Sequence, residues 1–89
     1  MRFVRAAEYL ERYRILVQFD DGTEKIVDLE RELDGEVFAP LRDLKLFREL
    51  SVDPDLDTIV WTNGADFAPD FLFELGEPVG DRKGSSEGQ

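Results

Sequence analysis

The sequence predicts a small two-layer α+β domain built from antiparallel hairpins and two short helices. Three patterns predict this class: apolar and polar residues alternate over positions 13–19, Gly follows Asp or Asn at three turn signals, and apolar residues recur at helical spacing after Pro40. The chain has 89 residues and 42% of them are hydrophobic, so it can bury one core but not two. We therefore expect a single domain over residues 1–76.

Three strands are predicted in the first part of the chain, over residues 3–10, 13–19 and 25–29. In the second of them, four apolar side chains share one face: Tyr13, Ile15, Val17 and Phe19. Gly22 tolerates the positive φ that the following turn requires. These strands should form an antiparallel meander.

The residue pattern leaves open the register of the hairpin formed by the second and third predicted strands. A two-residue loop would place Val17 opposite Ile26. A three-residue loop with a bulge would place Ile15 opposite Val27.

One amphipathic helix of two to three turns is predicted after Pro40. The apolar residues that follow at a spacing of three are Leu41, Leu44, Phe47 and Leu50. They should form one buried face of this helix.

A second hairpin and a closing helix are predicted in the last part of the chain. Short apolar strands at 50–53 and 58–61 should pair across the turn at Pro54. The last helix should begin at Pro69, because Pro is favoured at the first helical position, and end at Gly76. Residues 77–89 are poor in apolar side chains, and we expect them to form a disordered tail.

The net charge of −10 limits the classes of ligand. There are 21 acidic and 11 basic residues, and the basic ones are scattered among acids. Such a field repels nucleic acids and anionic membranes, and it favours a basic protein partner. The amino terminus is too polar for a secretory signal, and no apolar run reaches the ~20 residues of a membrane helix, so we expect a cytoplasmic protein.

The chain contains neither Cys nor His. Disulfides, thiolate metal sites and a Cys nucleophile are therefore excluded, together with the usual general base and the commonest zinc ligand. We expect no cofactor, no metal and no catalytic residue.

Two acidic clusters favour solvated turns over metal sites. Asp53, Asp55 and Asp57 alternate as in a calcium loop, but the Gly and the Glu that such a loop needs at its sixth and twelfth positions are absent. Around the first turn, Asp20, Asp21 and Glu24 lie at a hairpin tip. Nothing indicates the burial that would raise a carboxyl pKa there.

Most of the chain resembles the bacterial family called domain of unknown function 2442. The resemblance is carried by residues 37–43, 46–47 and 57–72, and by hairpin residues 19–22 and 28–29. Its most specific part is the run Trp-x-Asn-Gly-Ala-Asp at 61–66. Thr62 departs from the family, which usually has Pro after the Trp.

The resemblance implies a small α+β fold whose function is not established. Members are often encoded beside another small protein, in pairs that resemble toxin–antitoxin modules, and the acidic member would be antitoxin-like. Some relatives carry an added helix-turn-helix domain. No such domain follows here, so we do not expect their DNA-binding role.

The loop after Trp61 is the first part of a candidate partner surface. In one interpretation, Asn63 and Asp66 contact a partner, and Trp61 and Phe67 anchor it. In the other, which we favour, Asn63 forms the turn, Asp66 caps the last helix, and both aromatics belong to the core.

Three more residues complete the candidate surface. Phe71 and Phe73 cannot both point inward from one helix face, so one of them should be exposed at a partner or dimer interface. Arg42 could contact an anionic group, but an ion pair with Asp43, Glu49 or Asp66 is the simpler expectation.

The function that these observations favour is a non-enzymatic protein-interaction domain. It would be the acidic, antitoxin-like partner of a small basic protein, and a homodimer is compatible with it. The alternative is a protein or hydrolase that binds Mg²⁺ or a small molecule through carboxylates such as Asp20, Asp53 or Asp66.

Overall fold

The computed structural model describes residues 2–79. Its strands are β1 Val4–Glu11, β2 Arg14–Phe19, β3 Glu24–Asp28, β4 Ser51–Asp53, β5 Thr58–Val60 and β6 Glu77–Pro78. Its α-helices are α1 Gly35–Phe38, α2 Leu44–Phe47 and α3 Pro69–Leu75, and 3₁₀ turns lie at Glu30–Glu32 and Ala39–Arg42.

The strands form two antiparallel sheets, one of four strands in the order β1-β2-β3-β6 and one of two strands, β4-β5. The short helices lie mostly between these sheets in the chain, and α3 packs against β3. The predicted α+β class with antiparallel hairpins is therefore confirmed. The sheet extends two residues past the domain boundary expected at residue 76, because Glu77–Pro78 pair with β3.

The hairpin of β2 and β3 has the three-residue loop, over residues 20–22. Ile15 lies opposite Val27, and the backbone N–H of Phe19 donates to the carbonyl of Thr23 at 2.8 Å. Gly22 takes a φ of 90°, which Gly adopts without steric cost. This register places Ile15, Val27 and Phe19 on the same buried face of the sheet.

The single helix predicted after Pro40 is wrong. The chain there forms a 3₁₀ turn and then α2, interrupted at Asp43, whose ψ of 112° is extended. Two hydrogen bonds explain the break: the Tyr13 hydroxyl donates to the Arg42 carbonyl, and the Asp43 carboxylate accepts from the backbone N–H of Lys45. A side chain that competes for backbone donors in this way favours a helix start over a continuous helix.

The break also changes which side chains of this segment are buried. Leu41 and Phe47 are fully buried, as expected, whereas Leu44 is 39% exposed. The predicted apolar face of the helix was therefore wrong at Leu44.

The second hairpin and the closing helix lie where they were predicted. Val52 pairs with Ile59, and α3 begins at Pro69 and ends before Gly76. No helix within residues 2–79 has the length and apolar content to cross a membrane. The rest of the predicted tail, residues 80–89, lies outside the described residues.

The core lies between the inner face of the four-stranded sheet and the helices with the small hairpin. Its fully buried side chains include Ile15, Val17, Val27, Leu29, Leu33, Leu41, Phe47, Ile59 and Leu72. Thr58 is the buried polar residue, and its hydroxyl donates to the carbonyl of Phe67. The core thus positions the loop between β5 and α3.

Candidate functional site

The loop between β5 and α3 is a tight turn organised by Asn63. The backbone N–H of Trp61 donates to the carbonyl of Ala65 at 2.9 Å, and Gly64 has a φ of 90°. Asn63 accepts from the backbone N–H of Ala65 through Oδ1 at 3.1 Å and donates through Nδ2 to the carbonyl of Val37 at 2.9 Å. Asn63 therefore ties the loop to α1.

Asp66 does not cap the last helix, although the sequence predicts that it should. The residue before α3 is Ala68, and no side chain caps this helix. Asp66 instead forms an antiparallel bridge with Val60, and its side chain is exposed. The predicted cap was wrong because the chain between Asp66 and Pro69 is extended, so α3 begins too far along for that carboxylate to reach its first N–H groups.

Trp61 and Phe67 belong to the core, with 3% and 9% of their surfaces exposed. Their rings are 5.8 Å apart in an edge-to-face arrangement. The indole Nε1–H of Trp61 donates to the carbonyl of Phe47, which holds its ring inward. In these positions they lie beneath the candidate partner surface and are not part of it.

Three aromatic rings, those of Phe38, Phe67 and Phe71, form a stack that we call the aromatic ladder. The ring centroids of Phe38 and Phe67 are 4.6 Å apart, and those of Phe67 and Phe71 are 5.5 Å apart, with an interplanar angle of 13° for the second pair. Phe67 is the buried middle ring, Phe38 is half-buried, and Phe71 is 38% exposed. The ladder thus carries the core aromatics out to the surface.

Carboxylates follow the ladder along the chain. Asp66 and Asp70 precede its middle and outer rings in sequence, and both are exposed; Asp70 lies 3.6 Å from Nε of Arg2. Glu36 precedes Val37, whose side chain is 48% exposed. The ladder is therefore an apolar surface next to acidic groups, a combination that suits a ligand with both apolar and cationic groups.

Phe73 points away from the ladder. Its ring lies 5.1 Å from that of Phe19 and between two cations, with the guanidinium carbon of Arg2 at 3.5 Å and Nζ of Lys25 at 3.6 Å from its centroid. Lys25 also donates to the Phe73 carbonyl at 2.7 Å. Of the two rings that could not both point inward, Phe71 is thus the more exposed one.

Arg42 makes a structural ion pair. Its Nε donates to the carbonyl of Leu33 at 2.8 Å, and its Nη2 lies 2.8 Å from the Asp34 carboxylate. The expected ion pair is present, but its acid is Asp34 and none of the three that the sequence suggested. From the 3₁₀ turn at Ala39–Arg42, the guanidinium therefore reaches back to residues 33 and 34.

The candidate residues are therefore only partly brought together. Asn63, Asp66, Phe67 and Phe71 lie on or beside the ladder, Trp61 lies beneath it, and Phe73 and Arg42 make contacts of their own. Sequence reasoning did not place Phe38 in the site. Its signal was the surplus of aromatics in so short a chain.

Two of the three carboxylates named for the alternative function, those of Asp20 and Asp53, accept backbone hydrogen bonds. Asp53 accepts from the N–H of Asp55 at 2.8 Å, and Asp20 accepts from that of Phe3 at 3.1 Å. Asp21 accepts from the backbone N–H of Thr23 at 2.9 Å, and this bond lowers the pKa of Asp21. Within residues 2–79, no three acidic side chains converge as metal ligands.

Comparison with known proteins identifies the family and little else. No curated protein and no solved structure matches the chain. The model of one family, described as a protein of unknown function (DUF2442), matches residues 4–78, which include both sheets and the ladder. The chain therefore belongs to the DUF2442 family of proteins of unknown function.

Proposed function

We propose that this domain is a non-enzymatic protein-interaction domain whose ligand is a small basic protein. In this proposal it acts as the acidic, antitoxin-like member of a two-component bacterial module. The observation that carries the proposal is the aromatic ladder, because Phe71 remains 38% exposed while its stacking partner Phe67 is buried.

An exposed ring on a buried one is a favourable anchor for a partner. Stacking holds Phe71 in place, so little side-chain freedom is lost when a partner side chain packs on it. Two acidic residues border the ladder: Asp66, which makes no ion pair within residues 2–79, and Asp70, whose carboxylate lies 3.6 Å from Nε of Arg2 and is partly neutralised by it. With the net charge of −10, they support a cationic partner, whose association should weaken as salt increases.

The test is native mass spectrometry of the tagged protein, purified gently from its own host. The decisive variant is Phe71→Glu, which removes the exposed ring. Its matched control is Leu56→Glu, because Leu56 is 53% exposed in the turn between β4 and β5 and is not part of the ladder. Circular dichroism would verify that both variants fold like the wild type.

We expect a stoichiometric basic protein with the wild type and with Leu56→Glu, and its loss with Phe71→Glu. A wild-type protein that carries no second protein would overturn the proposed function. If Phe71→Glu still binds the partner, the interaction function remains supported, but the ladder is not the surface that binds it.

A further inference from the structure

Beyond the ladder, we propose that the outer face of the four-stranded sheet binds an amphipathic helix of a protein partner. The helix would present an apolar stripe bordered by Lys or Arg on both sides. This inference rests on the proposed function in that the ligand is a protein. It adds a second binding surface and specifies the kind of partner segment that this surface would bind.

One row of side chains crosses all four strands on this outer face. Directly paired residues of an antiparallel sheet project to the same side. Glu8 pairs with Leu16, and Leu16 pairs with Ile26. Ile26 in turn pairs with Glu77. From one sheet edge to the other, the row is therefore acidic, aliphatic, aliphatic and acidic.

The aliphatic centre of the row continues into an open groove of about 750 Å³. Leu10 and Leu75 line this groove together with Ile26, and they are 40% and 36% exposed. Leu16, beside Ile26 in the row, is half-buried. The opposite face of the same strands is buried in the core, so the strands expose their aliphatic groups on the outer face, and α3 contributes Leu75 beside them.

The single cation of the groove lining is already neutralised. Arg14 lies 3.3 Å from the Glu11 carboxylate and 3.5 Å from that of Asp28. Glu8 and Glu77, which also line the groove, make no ion pair within the described residues. The groove therefore carries an excess of negative charge, located at the two rims of the aliphatic row.

The dimensions of this face fit an α-helix. Neighbouring strands are ~4.8 Å apart, so the distance from β1 to β6 across three spacings is about 14 Å. A helix with its side chains has a diameter of ~10–12 Å. A helix along the strands would therefore place its apolar stripe on Leu16 and Ile26, and its flanking cations near Glu8 and Glu77.

The same charges decide against other occupants. A second copy of this chain would bring Glu8 and Glu77 against carboxylates of an identical face, which like-charge repulsion disfavours. Nucleic acids and anionic lipid surfaces would be repelled for the same reason. A cationic amphipathic helix satisfies both the aliphatic centre and the acidic rims.

The experiment is a titration of the ¹⁵N-labelled full chain, followed by NMR chemical shifts. The probe is a synthetic helical peptide of about 14 residues, ~21 Å long, with a Leu stripe between two rows of Lys. One control peptide replaces every Leu by Ser, and a second replaces every Lys by Glu. We expect shifts at the amides of Leu16 and Ile26 with the first peptide alone.

Charge reversal at the rims gives the matched test. In the variant Glu8→Lys/Glu77→Lys, we expect the affinity for the Leu/Lys peptide to fall about tenfold. The control Glu49→Lys/Asp55→Lys makes the same change in net charge at exposed positions outside the groove, and it should bind like the wild type. All four positions are exposed, so both variants should keep the fold.

Each other outcome overturns the inference without deciding the proposed function. Equal binding of the Ser/Lys peptide would show a site for cations with no apolar contribution. Shifts confined to the amides of Phe67 and Phe71 would place the peptide on the ladder instead. If no peptide binds, the groove is not a helix-binding site. A native complex that is lost in Phe71→Glu would still support the proposed function.

Discussion

The indole Nε1–H of Trp61 donates a hydrogen bond of 2.8 Å to the backbone carbonyl of Phe47. Both residues are buried, and their rings are 5.6 Å apart. The bond joins the end of the small hairpin to the last residue of α2, and it satisfies a carbonyl that is out of reach of water. Its loss would leave that buried acceptor unpaired.

The variant Trp61→Phe should lower the free energy of unfolding by about 2–4 kcal/mol, because it removes this bond and leaves a cavity beside Phe47. Urea denaturation followed by circular dichroism is the suitable measurement, since the substitution removes the only Trp of the chain. Thr62→Ala, at the exposed neighbouring position, is the control and should change stability by less than about 0.5 kcal/mol. Equal effects of the two variants would contradict the prediction.

Gly76→Ala should destabilise the fold by about 1–3 kcal/mol through overpacking. A Cβ at this position would lie 2.8 Å from Cβ of Lys25 and 3.0 Å from Cγ2 of Val27, where α3 ends against β3. Thermal unfolding measures the effect. The control is Glu74→Ala, an exposed position of the same helix, whose melting temperature should stay close to that of the wild type. An unchanged melting temperature for Gly76→Ala would show that β3 and α3 can separate at little cost.

Two substitutions of Asn63 should separate its two hydrogen bonds. Asn63→Asp keeps an oxygen that accepts from the N–H of Ala65 but loses the donor to the Val37 carbonyl, whereas Asn63→Ala loses both. We expect faster hydrogen exchange of the Ala65 amide in Asn63→Ala only. Stability should fall by about 1 kcal/mol in that variant. Identical exchange in the two variants would show that the side-chain oxygen does not hold the turn.

Asp21 should stay ionised to a lower pH than an ordinary Asp. The backbone N–H of Thr23 and then its hydroxyl bond the carboxylate, and they lower the pKa of Asp21 from an ordinary value of 3.8. The folded state therefore holds this proton less tightly than the unfolded chain. The contribution of Asp21 to stability is complete above the ordinary pKa and is lost as the pH falls from there through the lowered one.

NMR titration of the Asp21 carboxyl carbon measures this pKa directly. In Thr23→Val the backbone bond remains and the hydroxyl bond is lost, so the pKa of Asp21 should move part of the way back. A wild-type midpoint at the ordinary value would contradict the prediction, and so would an unchanged midpoint in the variant.

Local patterns were sufficient for the elements whose hydrogen bonds and turns are local. The period-two pattern around Ile15 identified β2, and Asn63-Gly64 identified the turn before α3. Pro69 and Gly76 marked the ends of that helix correctly. The family resemblance was confirmed for the same reason, since it depends on runs of neighbouring residues.

The sequence by itself thus determined the α+β class, the hairpins and the acidic character of the surface, because these depend on side-chain period, turn residues and charge. Tertiary contacts decided the rest. The Tyr13 hydroxyl donates to the Arg42 carbonyl and interrupts the predicted helix, which leaves Leu44 exposed. Strand register alone places Glu8 and Glu77 on one row, and stacking on Phe67 alone makes Phe71 the outer ring of a ladder. Such partners are distant along the chain, and their pairing arises only when the core packs.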